Sequence, residues 1–376
     1  MQKISPFARL LLVMALLVLA LVLVRQALPL WQKDCPPQCA GVNMSGKNLS
    51  GADLRNQSLS RSVMQRAVLT EANLAGADLS SADLTASDLS RANLRGANLA
   101  GAVLTNAKLL DADLTDADLS GADLTGAVLS GVNLERTKLT AARFDKARLL
   151  GANLAGARLN GNPMAGADLR GADLHGADLS GANLTEANFA SADLREANLD
   201  GATLHLAKMF CANMNGALLS GADLTGAGLD GSDLRGADLR GAQMHGAGMT
   251  GSNLDGADLS RANLAGAYLA GAVLTGANLN GADLAEVVRI GGQEYVYAAT
   301  LYGALLARTN FDGADLAGAS LKGTDLRGAN LQRAVLAKTL LVNGAPVVST
   351  VELDGAYGDA ETLLPENFDR AQLPTK

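Results

Sequence analysis

The sequence predicts an all-β solenoid, a chain wound into short coils that stack along one axis around an apolar spine. Three observations carry that expectation. From Met44 to Leu284 every fifth residue is Leu, Met or Phe, at 49 successive positions without an exception. The four residues between them are nearly as uniform, as in Gly121-Ala122-Asp123-Leu124-Thr125 and Gly171-Ala172-Asp173-Leu174-His175. Aromatic residues make up only 3% of a chain that is 48% hydrophobic, which suits a narrow interior lined by Ala and Leu.

A helix repeats its apolar face near 3.6 residues and a strand near 2, so a strict period of five fits neither. The chain must turn at each unit. Ala two places before the large residue supplies a second inward group, Asp or Asn just before it forms turns, and Gly two after it permits a corner. One coil of such units buries little, so coils must stack, with backbone groups pairing along the axis at about 4.8 Å per coil. Each buried Leu then contributes about 2 kcal/mol before opposing terms, and a charge in its place would be severe.

The motif Ala-(Asp/Asn)-Leu-x-Gly resembles that of the pentapeptide-repeat family, over residues 42 to about 341 of the 376. The resemblance implies a right-handed quadrilateral parallel β-helix with four units per coil, the large and the small apolar residue inward and the other three outward. Some members of the family mimic duplex DNA and protect or inhibit a topoisomerase.

The elements follow in order. Residues 1–34 form an amino-terminal stub and an apolar segment: Lys3 and Arg9 precede an uncharged run from Leu10 to Val24, and Arg25, Trp31 and Lys33 follow. The run alone is about 22 Å as a helix, short of a ~30 Å bilayer core. Extended to Trp31, with Arg25 snorkelling, it reaches spanning length as a membrane anchor. A cleaved signal peptide is the competing reading, but Arg25 stands two before Ala27 where a cleavage site needs a small residue. Basic residues at the amino flank place the repeats outside the cytoplasm, tethered to a bacterial inner membrane by one pass. Residues 35–41 are a linker in which Cys35 and Cys39 are spaced to close a small disulfide loop in an oxidising compartment. Repeats are expected over 42–284 and 301–341, separated by an insertion at 285–300 that carries Val287, Val288, Tyr295 and Tyr297 around Gly291-Gly292 and reads as a hairpin or side loop packed on the solenoid. Residues 342–376 lose the rhythm and read as a cap over the last leucines.

Charge and chemistry narrow the function. The net charge is −7, yet 18 of the 38 acidic residues are Asp just before a large apolar residue, so much of the acidity is turn chemistry. A convex rod with a leucine interior has no concave, water-poor pocket in which catalytic groups converge, and no enzyme, cofactor or metal site is expected. His205 and His245 fall two coils, about 9.6 Å, apart on one face, too far to share a metal. In steps of 20, the column from Asp53 to Asn253 is Asp or Asn throughout and reads as scaffold. A neighbouring face is irregular: Lys108, Arg148, Lys208 and Tyr268 stand before its large residues and Leu110, Leu150 and Phe210 after them. Exposed apolar groups among cations make this the candidate partner-binding face.

The expectation is therefore a non-enzymatic, membrane-tethered scaffold in the bacterial envelope that presents a long surface to a protein partner. A DNA-mimicking topoisomerase ligand is the alternative, opposed by the anchor and by arginines interleaved among the acids. An accessory subunit of a larger membrane complex is the third reading.

Overall fold

A computed structural model describes residues 39–290, 293–342, 345–354, 356–366 and 368–375; the apolar segment through Leu10, Val24 and Trp31, and Cys35, lie outside these. Within them the chain climbs in coils of twenty residues. Parallel bridges join the residues just before successive large apolar side chains, as in Asn43↔Val63, Asn48↔Val68, Asp53↔Asn73 and Ser58↔Asp78. Four units close each coil, and the rod has four faces, named here after Asn43, Asn48, Asp53 and Ser58. Among the described residues no helix is long and apolar enough to cross a membrane.

One unit shows how the sequence makes the corner. Leu49 N–H donates to Val68 O in the next coil at 2.7 Å, Gly51 N–H donates to Thr70 O at 2.9 Å, and Ala52 N–H turns back to Leu49 O at 3.1 Å. Gly51 is left-handed, with φ 63°. Glycine adopts that region without the steric cost a Cβ brings. The Asn or Asp before the large residue holds the turn, since Asn48 Oδ1 accepts Ser50 N–H at 3.1 Å and Asp83 Oδ1 accepts Thr85 N–H at 3.0 Å. Leu and Ala then point inward, and from Leu59 to Leu326 the large residues are all 0–1% exposed. The dry leucine spine exists as the period required.

Most polar residues at the small inward position find a hydrogen bond inside the rod, although the buried Ser87 hydroxyl has none. Ser62 and Ser232 donate to the carbonyls of Leu59 and Leu229, three residues back. Thr137, Asn162 and Thr309 reach the preceding coil at Leu114 O, Leu139 O and Leu274 O. Asn162 keeps one unsatisfied group, its Oδ1. The ladder opens beside it. Coil-to-coil backbone bonds close at Leu134 to Asn153 and at Phe144 to Pro163, but none joins residues 136–141 to 155–160. Thr137 and Asn162 are bulkier than the Ala found elsewhere, Pro163 has no N–H to give, and Lys138 and Arg158 fall one above the other with like charge.

Three boundaries differ from the sequence expectation. The ladder starts at Cys39 rather than 42, because Cys39 N–H donates to Ser58 O at 2.8 Å and its side chain, 2% exposed, takes the place of a large apolar residue. Cys39 is disulfide-bonded, and Cys211, the other cysteine among the described residues, is free and exposed. The insertion is the hairpin β1 (Ala285–Ile290) and β2 (Gln293–Ala298), paired antiparallel from Ala285↔Ala298 to Ile290↔Gln293. Across it the bridge Tyr268↔Thr300 steps by 32 instead of 20, so twelve residues are inserted and the faces stay in phase.

The carboxyl end is corrected more deeply. Leu341 is not a repeat position: it lies in β3 (Ala337–Val342), which pairs with β4 (Ala345–Thr350). Asn343-Gly344 between two apolar runs is the signal for a two-residue hairpin, and the five-residue rhythm of Leu336 and Leu341 hid it. Winding resumes after it, with Ser320↔Glu352, Asp325↔Tyr357 and Asn330↔Leu363. The tail therefore completes one more coil before it caps the rod. Thr362 Oγ1 donates to Leu326 O, Asp359 Oδ1 accepts Gly328 N–H, and Leu373 is 4% exposed. Both hairpins leave the same corner, after Leu284 and Leu336, and β2 touches β3. The corner residues Ala265 and Ala317, which lie one coil to either side of β1, are fully buried.

Candidate docking face

The Asn48 face collects the irregular residues. Its bridges run Lys108, Val128, Arg148, Asp168, Asn188, Lys208, Gly228, Gly248 and Tyr268 in one column. At about 4.8 Å per coil, Lys108 and Tyr268 are roughly 38 Å apart. Leu110, Leu150 and Phe210 stand two residues further along each unit in a parallel row, and all are exposed, at 44, 43 and 40%. Tyr268 is 56% exposed. The structure thus places the seven predicted residues on one face, as an interrupted stripe: Asp168, Arg170, Asn188 and Ala190 separate the Arg148 and Lys208 groups.

The cations on this stripe differ from the arginines of the Asp-Leu-Arg units. Six units read Asp-Leu-Arg, and in each the guanidinium forks back onto the carboxylate two residues before, as Arg235 does onto Asp233 and Arg240 onto Asp238. The Arg55 fork holds the Asp53 carboxyl down to about 2. Arginine forks likewise hold Asp168, Asp193, Asp233, Asp238 and Asp325 below the usual carboxylate range, against burial, which pushes the other way. Lys108, Arg148 and Lys208 form no salt bridge among the described residues. Free cations beside exposed leucines and a phenylalanine are suited to a partner that offers carboxylates and an apolar patch.

Sequence reasoning missed the floor of this face. Gly228 and Gly248 are the two glycines of the solenoid that stand just before a large apolar residue. A Cβ on Gly228 would meet the Phe210 ring at 2.5 Å, so the ring lies directly over bare backbone. Leu206, 46% exposed, leans over Gly226 in the same way. Glu186, Leu206, Lys208, Phe210, Gly226 and Gly228 line an open hollow of about 420 Å³. The paired absence of side chains at 228 and 248 was the available signal. Tyr302, 58% exposed, extends the Phe210 row and had been hidden by the phase shift across the hairpin.

The remaining candidates are structural. Along the Asp53 face each Asp or Asn from Asp53 to Asn253 accepts the N–H two residues on, for example Asn133 from Glu135 and Asp173 from His175. Asparagines also donate to the coil below, Asn93 to Asn73 and Asn153 to Asn133. His175 Nδ1 contacts Arg195 O at 2.9 Å. Among the described residues no group of His, Cys, Asp and Glu is placed to hold a metal ion.

Comparison with known proteins agrees with this architecture. The family model for pentapeptide repeats matches eight times, at 48–85, 87–126, 122–161, 164–201, 187–226, 217–256, 252–288 and 297–337. HetL, a pentapeptide repeat protein involved in heterocyst differentiation regulation from the cyanobacterium Nostoc sp. strain PCC 7120, is 34% identical over 67% of this chain and 91% of its own, with a TM-score of 0.26. Rfr23, a pentapeptide repeat protein from the cyanobacterium Cyanothece 51142, is 34% identical over 31% of this chain and 95% of its own, with a TM-score of 0.24. QnrB1, a plasmid-mediated fluoroquinolone resistance protein, is 21% identical over 59% of this chain and 88% of its own, with a TM-score of 0.30. No curated protein matches the chain. Eight copies of one repeat, covering most of a four-sided parallel ladder, place this chain in the pentapeptide-repeat family, whose members wind as right-handed β-helices.

Proposed function

We propose that the chain is a non-enzymatic scaffold whose Asn48 face docks a protein partner, and that its amino-terminal segment tethers the rod to a bacterial inner membrane with the repeats on the extracytoplasmic side. The observation that carries the docking reading is the contrast in arginine and lysine use. In the six Asp-Leu-Arg units the arginine is tied to the carboxylate two residues before it, whereas Lys108, Arg148 and Lys208 form no salt bridge among the described residues and stand beside Leu110, Leu150 and Phe210. The tether rests on the apolar run from Leu10 to Val24 with its basic amino flank. A stiff ladder of repeated hydrogen bonds lets such a face keep its spacing over many coils, so that docking costs little ordering entropy.

Two measurements test the two halves. A photo-crosslinking residue at Phe210 or Tyr268 should capture a partner in cells, and the same residue at Asn98 on the opposite, Ser58 face should not; equal capture at both removes the docking face. Reversing Lys108 and Arg148 to Glu should abolish the Phe210 crosslink. A reporter enzyme active only outside the cytoplasm, fused at the carboxyl end, should be active, and activity confined to a cytoplasmic reporter removes the orientation.

A further inference from the structure

A second site lies on the Ser58 face, independent of the docking stripe. Ser220, Arg240, Ser260, Arg261, Asn278 and Asn280 surround an open hollow of about 600 Å³. Arg240 is steered into place by its fork with Asp238, Nε to Oδ1 at 2.7 Å and Nη2 to Oδ2 at 2.6 Å, which leaves Nη1 unused. Arg261 makes no salt bridge or side-chain hydrogen bond among the described residues, and neither does the Ser260 hydroxyl. The amides behind them are occupied: Asn278 donates to Asp258 Oδ1 at 3.0 Å and Asn280 to Asp312 O at 2.8 Å. Asp258 also accepts Ser260 N–H at 2.9 Å, so its carboxylate is engaged by both Ser260 and Asn278.

Arg261 is one of six arginines at the left-handed corner among the described residues. It sits at the left-handed corner with φ 59°, between Gly241 at 65° and Gly281 at 64° in the coils above and below. Glycine is the residue this backbone favours, and a long side chain there is strained. Its Cγ comes within 3.9 Å of where a Cβ on Gly281 would stand, so the side chain leans over Gly281 toward the hollow.

We propose that this hollow binds a tetrahedral oxyanion, a phosphate or sulfate group, between Arg240, Arg261 and the Ser260 hydroxyl. Arg240 and Arg261 reach the hollow from successive coils about 4.8 Å apart, and Ser260, next to Arg261 in the chain, stacks over Arg240. Three donor directions match the several oxygens of a tetrahedral anion better than the two of a planar carboxylate, and charge-assisted bonds of this kind are the strong ones.

The left-handed backbone supplies the control. Arg261→Gly removes the guanidinium while placing the favoured residue at the corner, and Arg261→Asn, which also tolerates this region, is the second variant. The full chain in detergent is titrated by calorimetry at constant ionic strength with inorganic phosphate, sulfate, glycerol phosphate and acetate. Saturable binding of phosphate and sulfate is expected, at least tenfold weaker in both Arg261 variants and a few-fold weaker in Ser260→Ala, with melting temperatures unchanged or raised. Tighter binding of glycerol phosphate than of inorganic phosphate would assign the group to an esterified ligand, and the reverse to the free ion. Equal binding by wild type and Arg261→Gly, acetate binding as tight as phosphate, or no saturable signal would overturn the site.

Discussion

Replacing Asn162 with Ala should stabilise the rod. Asn162 is 1% exposed and stands where most units carry Ala. Its Nδ2 donates to Leu139 O at 2.8 Å, while its Oδ1 is buried without a partner. Removing the donated bond costs about 1 kcal/mol, but Leu139 O keeps the Ala142 N–H at 3.0 Å. Removing a buried unsatisfied acceptor recovers about 1–3 kcal/mol, so the net gain is about 1 kcal/mol. In a chain of this length that is a rise in Tm of roughly 1–2 °C, which denaturant titration resolves together with the thermal scan. Native-state hydrogen exchange locates the effect. The amides of Arg136, Leu139, Ala141 and Arg158 lack coil-to-coil acceptors and should exchange faster than those of Leu119 or Leu179, whose acceptors are Lys138 O and Asn198 O. Asn162→Ala should slow all four. A variant that loses 1 kcal/mol or more, or that leaves the exchange of these amides unchanged, refutes the account of the opened ladder.

Three further outcomes follow from the same geometry. Leu179→Ala, at a side chain with 0% exposure in an unbroken stretch, should cost about 2–5 kcal/mol and raise exchange mainly in the coils directly above and below, as expected where each repeat contacts its neighbours; a global loss spread evenly along the rod would contradict that locality. Gly228→Ala should swing the Phe210 ring off the backbone, seen as altered ring resonances, at a cost under about 1 kcal/mol that disappears in a Phe210→Ala background; a cost that persists there would mean the ring is not the obstacle. Stability should hold at neutral and mildly acidic pH and fall as pH drops from about 4 to about 2, because arginine forks lower carboxyls such as Asp53 and Asp168 in the folded rod and protonation through their folded range removes the benefit; acid unfolding with its midpoint above pH 5 would assign the transition to other groups.

Much of this was legible in the residues, and the exceptions are instructive. A strict recurrence at five places determined the inward spine and the turn role of Asp and Asn, because each unit meets the same neighbours and a pattern repeated 49 times leaves one consistent burial. The seven residues of the candidate stripe fall on one face for the same reason: stacking by 20 turns sequence distance into height. Leu341 misled because its spacing from Leu336 matched the repeat while β3 and β4 pair as a hairpin, and strand pairing won over rhythm.

What the sequence by itself determined, then, was which side chains are inside, since burial follows from period alone. Only the tertiary structure decided how side chains use the space left by the coil beside them: the Phe210 ring needs bare backbone at Gly228, Arg261 leans over Gly281, and the ladder opens beside the buried Asn162. Those contacts join residues about twenty apart across one coil spacing, where the size and shape of a particular pair of side chains, and not the repeat, set the outcome.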